Sequence, residues 1–217
     1  MAQSILILGG TGRTGRFIVK EALEKGHWVT VMARNPAVAG FEEHPRLELV
    51  KGDALNYVDV FNAVQGIDVI IAALGRDGKN VDVFTTGTTH LLKAMRHSTA
   101  RRLICLSSLG AGSTRKLAGW KLRLLIALMG LKASFEAKAY QELLLFQSGL
   151  NFTLVMAGTL VNDARFDLWQ AALPEEVPEQ GPMPAKIDRR QVAAFLLSQV
   201  ADPSWVRKTV CLVGCLG

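Results

Sequence analysis

The chain has 217 residues, of which 49% are apolar, a composition that excludes a disordered chain and suits one α/β domain with a full core. Its formal net charge is +6 and its pI about 9.4. The basic residues stand in scattered pairs, such as Arg101 and Arg102, which favours a solvated basic surface over a nucleic-acid-binding one. No stretch reaches the roughly 18–20 uninterrupted apolar residues of a membrane-spanning helix.

The chain opens on its most informative stretch. An apolar run at residues 4–8 predicts a strand, glycines follow at positions 9, 12 and 15, and residues 13–25 predict a helix. A dinucleotide-binding loop needs this order, because the turn must be tight, the backbone must approach a pyrophosphate, and the helix must begin beside the anion. The alternative is an ordinary glycine-rich turn. The residues predicted to bind phosphate are Gly9, Thr11, Gly12, Arg13, Thr14 and Gly15.

The second predicted strand, residues 28–33, is followed by Arg34. Sites that prefer NAD carry an acidic residue at this point, which binds the ribose 2′-hydroxyl. A guanidinium instead pairs with a 2′-phosphate, and Arg13 could join it from the glycine loop. The sequence therefore predicts NADP, with NADPH preferred over NADH. The alternative for Arg34 is an exposed loop arginine.

The next two strands, residues 47–51 and 68–73, end in short polar or small elements. Asp53, followed by Ala54, is predicted to accept a hydrogen bond from the adenine amino group. Its alternative role is to cap the helix predicted at 57–65, for which Asn56 is better placed. After the fourth strand, small residues would let the cofactor pass against the backbone, the alternative being simple strand packing. This element comprises Ala72, Ala73, Leu74 and Gly75.

The remaining predicted strands are 102–107, 152–156 and 209–213, with helices at 82–98, within 115–148 and at 189–201. Nearly continuous apolar strands that alternate with helices predict a single Rossmann-type domain over residues 1–217, built on a doubly wound parallel sheet. Ligands bind at the carboxyl edge of such a sheet. Ser107 and Ser108 end the fifth strand there, with capping or a turn as their alternative role, and Ala157 and Gly158 follow the sixth. A proline-rich loop spans residues 174–184.

These motifs together resemble the atypical short-chain dehydrogenase/reductase superfamily, and most closely its NmrA-like and biliverdin/flavin-reductase-like branch. The resemblance covers almost the whole chain and implies an NAD(P)-binding Rossmann fold, while it does not specify a substrate. Its elements are the sequences GGTGRTG at 9–15, ARNP at 33–36, GDAL at 52–55, SSLGAG at 107–112, KAYQE at 138–142, SGLNFT at 148–153 and IDRRQVA at 187–193.

The chain departs from the superfamily at the residue that matters most for catalysis. The resemblance implies a Tyr-x-x-x-Lys pair, in which tyrosine transfers the substrate proton and lysine holds the nicotinamide ribose. Here Lys138 fits the lysine, but Ser134 stands in the place of tyrosine, on the same helix face. A serine titrates far too high to act alone, and Tyr57 and Tyr140 are misplaced. The arginine and proline that the family often carries before Gly158 are also absent.

Two functions remain open at this point. In the first, hydride passes from NADPH to a flat acceptor such as a flavin or quinone, with a proton from water. Ser107 or Ser108 would bind the acceptor or the carboxamide, Lys138 would hold the ribose, and a role for Ser134 stays open. In the second, the protein is a non-catalytic redox sensor that binds NADP and acts through a protein partner. The absent tyrosine favours the sensor, and the retained lysine and serines favour the reductase.

The apolar segment near 115–131, with Trp120 and several basic residues, is expected to form a lid or a homodimer or partner interface, and a membrane contact is the least favoured interpretation. Three cysteines, Cys105, Cys211 and Cys215, show no metal-ligand spacing with the histidines, so no metal is expected. Their odd number and the lack of a secretory leader predict a cytoplasmic protein.

Overall fold

The computed structural model describes residues 1–76, 78, 80–178 and 185–215, without the side chains of residues 121, 122 and 125. Its strands are β1 (Ser4–Leu8), β2 (Trp28–Ala33), β3 (Leu47–Lys51), β4 (Val69–Ala72), β5 (Arg102–Ser108), β6 (Phe152–Ala157), β7 (Thr159–Val161), β8 (Leu168–Ala172), β9 (Lys186–Asp188) and β10 (Lys208–Cys215). Its helices are α1 (Gly15–Glu24), α2 (Tyr57–Ala63), α3 (Asp82–Met95), α4 (Trp120–Leu128), α5 (Lys132–Gln147) and α6 (Arg189–Ser198).

Eight strands form one sheet in the order β3-β2-β1-β4-β5-β6-β10-β8. All neighbours are parallel except β10 and β8, so the predicted parallel sheet ends in one antiparallel edge strand. Strand β1 lies between β2 and β4, where Leu8 pairs with Met32 and Ala72. The chain winds outward from β1 in both directions, which confirms the doubly wound Rossmann-type fold.

Helices cover both faces of this sheet, because its central strands are apolar on both sides. On one face the core includes Leu6, Ile70 and Leu103, beneath α2, α3 and α5. On the other face it includes Ile7 and Ile104, beneath the packed pair of α1 and α6. No helix in the described part of the chain is long and apolar enough to cross a bilayer.

The helix predicted within 115–148 is two helices, α4 and α5, preceded by a short 3₁₀ helix over Gly112–Leu117. Gly130 has φ +64°, a left-handed conformation that ends α4. The N–H of Gly130 donates to Ala127 O at 3.1 Å, and the N–H of Leu131 donates to Ile126 O at 2.9 Å. These two bonds close the helix end in the way a glycine C-cap requires.

Three short strands were not predicted. The pair β7 and β9 forms a small parallel sheet, and β8 follows β7 along the chain. Each has few residues, and β8 is largely exposed, so none shows the apolar pattern of a central strand. The proline-rich loop begins with a 3₁₀ turn over Pro174–Glu176, and its residues 179–184 lie outside the described part of the chain.

Candidate functional site

The glycine loop between β1 and α1 lies where the strand order reverses, beside the end of β4. Gly9 has φ +82°, and a Cβ there would lie 2.4 Å from the carbonyl oxygen of Ala73. A Cβ on Gly15 would lie 2.1 Å from the carbonyl oxygen of Gly9. Both glycines are therefore required by the close packing of backbone on backbone, and they hold the loop tight at the switch point of the sheet.

The middle of the loop remains accessible, since Thr11, Gly12 and Arg13 are exposed. Helix α1 begins directly after buried Thr14, whose side chain makes no capping hydrogen bond to the residues that the structure describes, and the first turn of α1 carries no acidic residue. The positive end of the helix dipole thus points at a tight and accessible loop, which favours a phosphate group there.

Several basic side chains lie at this edge of the sheet. Arg34 lies exposed just past the end of β2, on the same edge of the sheet. Arg189, the first residue of α6, has a pKa lowered by burial and by the positive charge of Arg13, so these two guanidiniums lie near each other. Arg189 also donates to Asn162 Oδ1 at 2.8 Å. A concentration of positive charge of this kind favours an anion over the glycine loop.

Asp53 follows β3, and its Oδ1 accepts from the N–H of Leu55 at 2.9 Å. Asn56 caps α2 by accepting from the N–H of Val58 at 2.9 Å, which confirms it as the cap of that helix. Ala54 is buried, and its carbonyl lies 3.3 Å from Nδ1 of His90. Asp53 therefore forms a local turn at the carboxyl edge without serving as the helix cap.

The element after β4 lies against the glycine loop. The N–H of Ala73 donates to Leu8 O at 2.8 Å, which continues the pairing of β4 with β1 past its last residue. Ala72 is buried in the core, Ala73 and Leu74 are half-buried, and Gly75 is exposed. The small residues at this point serve the packing of Gly9, and Gly75 also lines the pocket described next.

A pocket of about 300 Å³ lies at the carboxyl ends of β4, β5 and β6, between those ends and α5. Five of its lining residues are polar or charged, and the rest are apolar or glycine. The polar ones are Arg76, Ser108, Ser134, Lys138 and Thr159; the others include Gly75, Phe84, Leu109, Leu131, Phe135, Ala157, Gly158 and Leu160. The pocket can thus enclose a ligand that is mostly apolar and carries a few acceptor atoms.

Lys138 is the central charged group of this pocket. Its Nζ donates to Ser108 Oγ at 3.1 Å and lies 4.8 Å from the centre of the Phe84 ring. Burial lowers the pKa of Lys138 from 10.5 to about 8. Burial likewise raises the pKa of the neighbouring Cys105 thiol to about 12. The amine is therefore charged at neutral pH, while the thiol beneath it is neutral.

Ser134 and Lys138 both line the pocket from α5, as their shared helix face predicts. The hydroxyls of Ser134 and Ser107 are buried, and neither has a hydrogen-bond partner among the described residues. Ser108 lines the pocket, while Ser107 precedes it on β5. An unpaired buried hydroxyl is costly, so Ser134 offers a bond to a ligand in this pocket.

The two tyrosines lie elsewhere. Tyr140 is exposed on α5. The Tyr57 ring packs on Phe61 and His90, at centroid distances of 6.0 Å and 5.9 Å, with Lys93 over its face. Neither tyrosine is among the residues that line the pocket. The described residues therefore place no tyrosine beside Ser134 in the pocket.

The end of β6 closes the pocket on one side. A Cβ on Gly158 would lie 2.5 Å from the carbonyl oxygen of Ala185, so only glycine fits where β6 turns towards β7. The N–H of Thr159 donates to Ala185 O at 2.7 Å. The small sheet of β7 and β9 thus continues directly from the pocket wall.

Among the described side chains of segment 115–131, Leu131 at its end is the one that lines the pocket. The side chains of Trp120, Leu124, Leu128 and Met129 are exposed, so they do not form the buried core that an apolar helix suggests. Between α4 and α5, a second cavity of about 320 Å³ is lined by Ile126, Ala127 and Phe135 together with residues 110–112.

Sequence reasoning missed Arg76, Phe84, Leu131, Phe135 and Leu160 as lining residues. Arg76 directly follows residues 72–75, which were predicted to contact the cofactor, so its place in the sequence could have identified it. The apolar residues carry no such signal, because their meeting depends on how α3, α5 and β7 pack. Among the described residues, no three His, Cys, Asp or Glu side chains come together in a way that would hold a metal ion.

A family model described as NAD(P)H-binding matches residues 9–203 of the chain. The chain is 31% identical over 175 residues to an uncharacterized chloroplastic protein of Arabidopsis thaliana, covering 74% of this chain and 60% of that protein. It is 25% identical over 221 residues to the photosystem II assembly factor Ycf39 of Synechocystis sp., covering 97% and 62%. The chain thus spans about three fifths of the length of these curated relatives.

Solved structures with low sequence identity share the fold. The oxidoreductase ylbE of Lactococcus lactis aligns with a TM-score of 0.82 at 22% identity, covering 98% of this chain and 91% of that one. A Streptococcus pneumoniae protein described as a candidate NADH-flavin reductase gives a TM-score of 0.80 at 17% identity, covering 99% of this chain and 100% of that one. The anaerobillin reductase ChuY of Escherichia coli O157:H7 gives 0.77 at 18%, covering 97% and 96%.

Proposed function

Because the chain belongs to the family of NAD(P)H-binding proteins, we propose that it is an NADPH-dependent reductase that transfers hydride to a flat, mostly apolar acceptor. The observation that carries the proposal is the pocket at the ends of β4, β5 and β6, in which Lys138, Ser108 and Ser134 face apolar walls. A flavin, a quinone or a similar conjugated ring system is the class of acceptor that such a pocket suits.

The residues present fit the dinucleotide. Gly9 and Gly15 leave no room for side chains in the loop, and α1 begins there with the positive end of its dipole towards the loop. In the proposal the pyrophosphate lies over Thr11, Gly12 and Arg13, with Thr14 and Gly15 at the helix start. Asp53 accepts from the adenine amino group, and the backbone of residues 72–75 follows the ribose and phosphates.

Arg34 carries the proposed preference for NADPH. It lies at the end of β2, where the ribose of the adenosine half would bind, and a guanidinium there pairs with a 2′-phosphate. Arg34→Glu should lower the ratio of NADPH to NADH affinity by about 10- to 100-fold, the value of one charge-assisted contact. Arg101→Glu, at the opposite edge of the sheet, is the matched control. An Arg34→Glu protein that keeps the wild-type ratio would contradict this assignment.

The polar groups of the pocket have separate proposed roles. Lys138 holds the nicotinamide ribose by donating from its charged amine, which Ser108 already orients at 3.1 Å. Ser108 binds the acceptor or the carboxamide. The unpaired hydroxyl of buried Ser134 binds an acceptor atom of the substrate. Ala157 and Gly158 form the wall beneath the reacting rings.

No phenol is required for this chemistry. When bound, the reduced cofactor supplies a hydride, and water supplies the proton that completes reduction of the acceptor. The protein's contribution is to hold two flat systems face to face and to exclude bulk water with apolar walls. Phe84, Leu109 and Phe135 provide such walls. Two of the proteins that share this fold are described as reductases of flavin and of anaerobillin, which agrees with this substrate class.

The direct test follows NADPH oxidation at 340 nm against FMN, riboflavin, a quinone, biliverdin and several aldehydes. Turnover with a planar acceptor is expected. Ser108→Ala should lower kcat/KM about 5- to 15-fold, the value of one hydrogen bond, without abolishing turnover. Ser148→Ala, at the far end of α5, should leave it unchanged.

The absence of a phenol from the pocket also favours a second candidate, a sensor that binds NADP(H) without turnover. A sensor requires different affinities for NADP and NADPH, or a protein partner whose binding depends on the cofactor. Tight binding of both forms with no oxidation across the panel would replace the reductase by this candidate. The free thiols of Cys105, Cys211 and Cys215 agree with a reducing compartment such as the cytoplasm for either function.

A further inference from the structure

Helix α4 exposes an apolar surface that neither the glycine loop nor the pocket uses. Trp120, Leu124 and Leu128 follow at four-residue spacing and so lie along one face. They are 71%, 52% and 76% exposed, and Met129, next along the chain, is 58% exposed. Exposed apolar residues that stand singly need no explanation, but a stripe of large ones along one helix indicates an interaction surface.

The charge around this stripe is mainly positive, with Glu136 on α5 as an acidic side chain 3.9 Å from Lys132 Nζ. From residue 112 to residue 135 the sequence holds five basic residues and no acidic one. The described side chains among the five, Arg115, Lys116, Arg123 and Lys132, are all exposed. Arg123 donates from Nε to the carbonyl of Ala118 at 2.8 Å, which holds its charge beside the start of α4.

We propose that α4, through Trp120, Leu124, Leu128 and Met129, docks the protein on the surface of an anionic lipid bilayer. The apolar stripe would enter the boundary between headgroups and acyl chains, and the basic side chains would contact lipid phosphates. A helix of nine residues lies on such a surface and does not cross it.

The charge pattern favours a lipid surface over a protein partner. An apolar stripe bordered mainly by basic residues complements a dense anionic plane, and a tryptophan at one end is typical of the membrane interface. In the sequence alone a membrane contact was the least favoured interpretation, because the apolar residues were expected inside the fold or in a lid. Because the apolar residues of α4 are exposed in the structure, that expectation no longer argues against a membrane contact.

The docked helix would also lie close to the proposed acceptor pocket. Leu131 follows α4 directly after Gly130 and lines that pocket together with Phe135. An apolar acceptor dissolved in the bilayer would therefore have a short path to the pocket. This consequence rests on the proposed function, whereas the docking itself does not.

The test measures flotation of the full chain with two kinds of vesicle. One consists of phosphatidylcholine alone, and the other also contains about 30% phosphatidylglycerol, an anionic lipid that attracts basic segments. Binding to the anionic vesicles is expected, with none to the zwitterionic ones and a marked decrease at high salt. Tryptophan emission should shift to the blue on binding. The shift should be lost in Trp120→Phe, which retains Trp28, Trp169 and Trp205.

Two double variants separate the apolar and the electrostatic contributions. Arg115→Gln with Lys116→Gln should weaken the partition about 25-fold, at about fivefold per basic side chain. Leu124→Asp with Leu128→Asp should weaken it at least about 100-fold, since two leucines no longer enter the membrane. The exposed positions of all four leave folding intact. Matched controls are Lys20→Gln with Lys25→Gln, and Val38→Asp with Val58→Asp, all exposed elsewhere.

Three outcomes would overturn the proposal. Wild-type protein that does not float with anionic vesicles removes it directly. Flotation that is unchanged by Leu124→Asp with Leu128→Asp assigns the contact to another surface. Light scattering that shows a wild-type dimer, converted to a monomer by the same two changes, assigns the stripe to a second copy of the chain. A lack of NADPH oxidation with the acceptors tested above affects none of these measurements. Failure of the proposed reductase function and failure of the membrane docking can therefore be distinguished.

Discussion

Gly9 lies where the backbone has no room for a methyl group. Its φ of +82° is disfavoured for any other residue, and the carbonyl of Ala73 would lie only 2.4 Å from a Cβ. Because the obstacle is backbone of β4 and not a flexible side chain, the strand itself would have to shift. The residue thus links the geometry of the loop to the pairing of β1 with β4.

Gly9→Ala should lower the free energy of unfolding by about 2–4 kcal/mol, from the strained φ together with the clash. NADPH affinity should also decrease, because the loop moves. Urea unfolding and a cofactor titration measure the two effects. Gly119→Ala, where nothing lies within 4 Å of the added Cβ, is the control and should stay within about 0.5 kcal/mol of wild type. A Gly9→Ala protein as stable as this control would disprove the clash.

Lys138 gives the site a pH dependence with a defined sign. Burial lowers the pKa of its amine to about 8, so the amine is charged below pH 8 and neutral above it. A charged donor makes hydrogen bonds stronger by about 1 kcal/mol. NADPH affinity should therefore decrease about fivefold between pH 7 and pH 9. Isothermal titration at several pH values measures this, and Lys138→Met should bind weakly with no step near pH 8. A step that persists in Lys138→Met would assign the titration to another group.

Asp188 joins three elements of the fold at the end of β9. Its carboxyl is buried and accepts from the N–H of Arg190 at 2.8 Å, which caps α6, and from the N–H of Asp163 at 2.7 Å. The Arg190 guanidinium adds a bond of 2.8 Å. Burial alone would raise the pKa of Asp188, but these bonds outweigh burial and hold the pKa below its ordinary value of 3.8.

The sign of this shift predicts how Asp188 affects stability. The unfolded carboxyl takes up a proton at higher pH than the folded one, so its stabilisation is complete above pH 3.8 and is lost as the pH falls below it. Asp188→Asn should lower the free energy of unfolding at pH 7 by about 1–3 kcal/mol. It should also flatten the acid side of the stability profile. Chemical unfolding from pH 7 to pH 3 measures both effects. Asp167→Asn, an exposed change nearby, should retain the wild-type profile.

Helices α4 and α5 show how an element's neighbours decide its exposure. Both are rich in apolar residues, but α5 packs on α3 and buries Ala137 and Leu145, whereas α4 lies outside that layer with its stripe exposed. Gly130, with φ +64°, separates the two. One glycine therefore divides an apolar stretch into a core helix and a surface helix.

The features proposed to bind the dinucleotide and its substrate all lie at one edge of the sheet. The glycine loop, Arg34, Asp53, the 72–75 element and the pocket all follow the carboxyl ends of parallel strands. A dinucleotide extended along this edge would contact both halves of the sheet, from β2 and β3 to β5 and β6. Its binding should therefore stabilise the fold as a unit.

A thermal-shift measurement tests this coupling. At a concentration of 100 times its Kd, NADPH should add about 2.7 kcal/mol to the free energy of unfolding. For a domain of this size that corresponds to a rise in Tm of about 5–11 °C. NADH at the same concentration should give a smaller rise, and the difference should disappear in Arg34→Glu. Equal shifts with both cofactors in the wild type would contradict the proposed role of Arg34.

The sequence by itself determined the fold and the tight glycine loop between β1 and α1, because those features are local. Strand, glycine turn and helix stand within one short stretch, and the apolar strands and the Asn56 cap are equally local. Ser134 and Lys138 were predicted to share a helix face because they are four residues apart, and both line the pocket.

Only the tertiary structure decided the pocket at the ends of β4, β5 and β6 and the surface of α4. The pocket walls come from α3, α5 and β7, and Arg76, Phe84 and Leu160 meet there through packing that no local pattern encodes. The pKa of Lys138 depends on burial, which is likewise a property of the assembled layers. An apolar helix has the same sequence pattern whether or not a neighbouring element covers it. The exposure of Trp120 and Leu128 could therefore be known only from the folded chain.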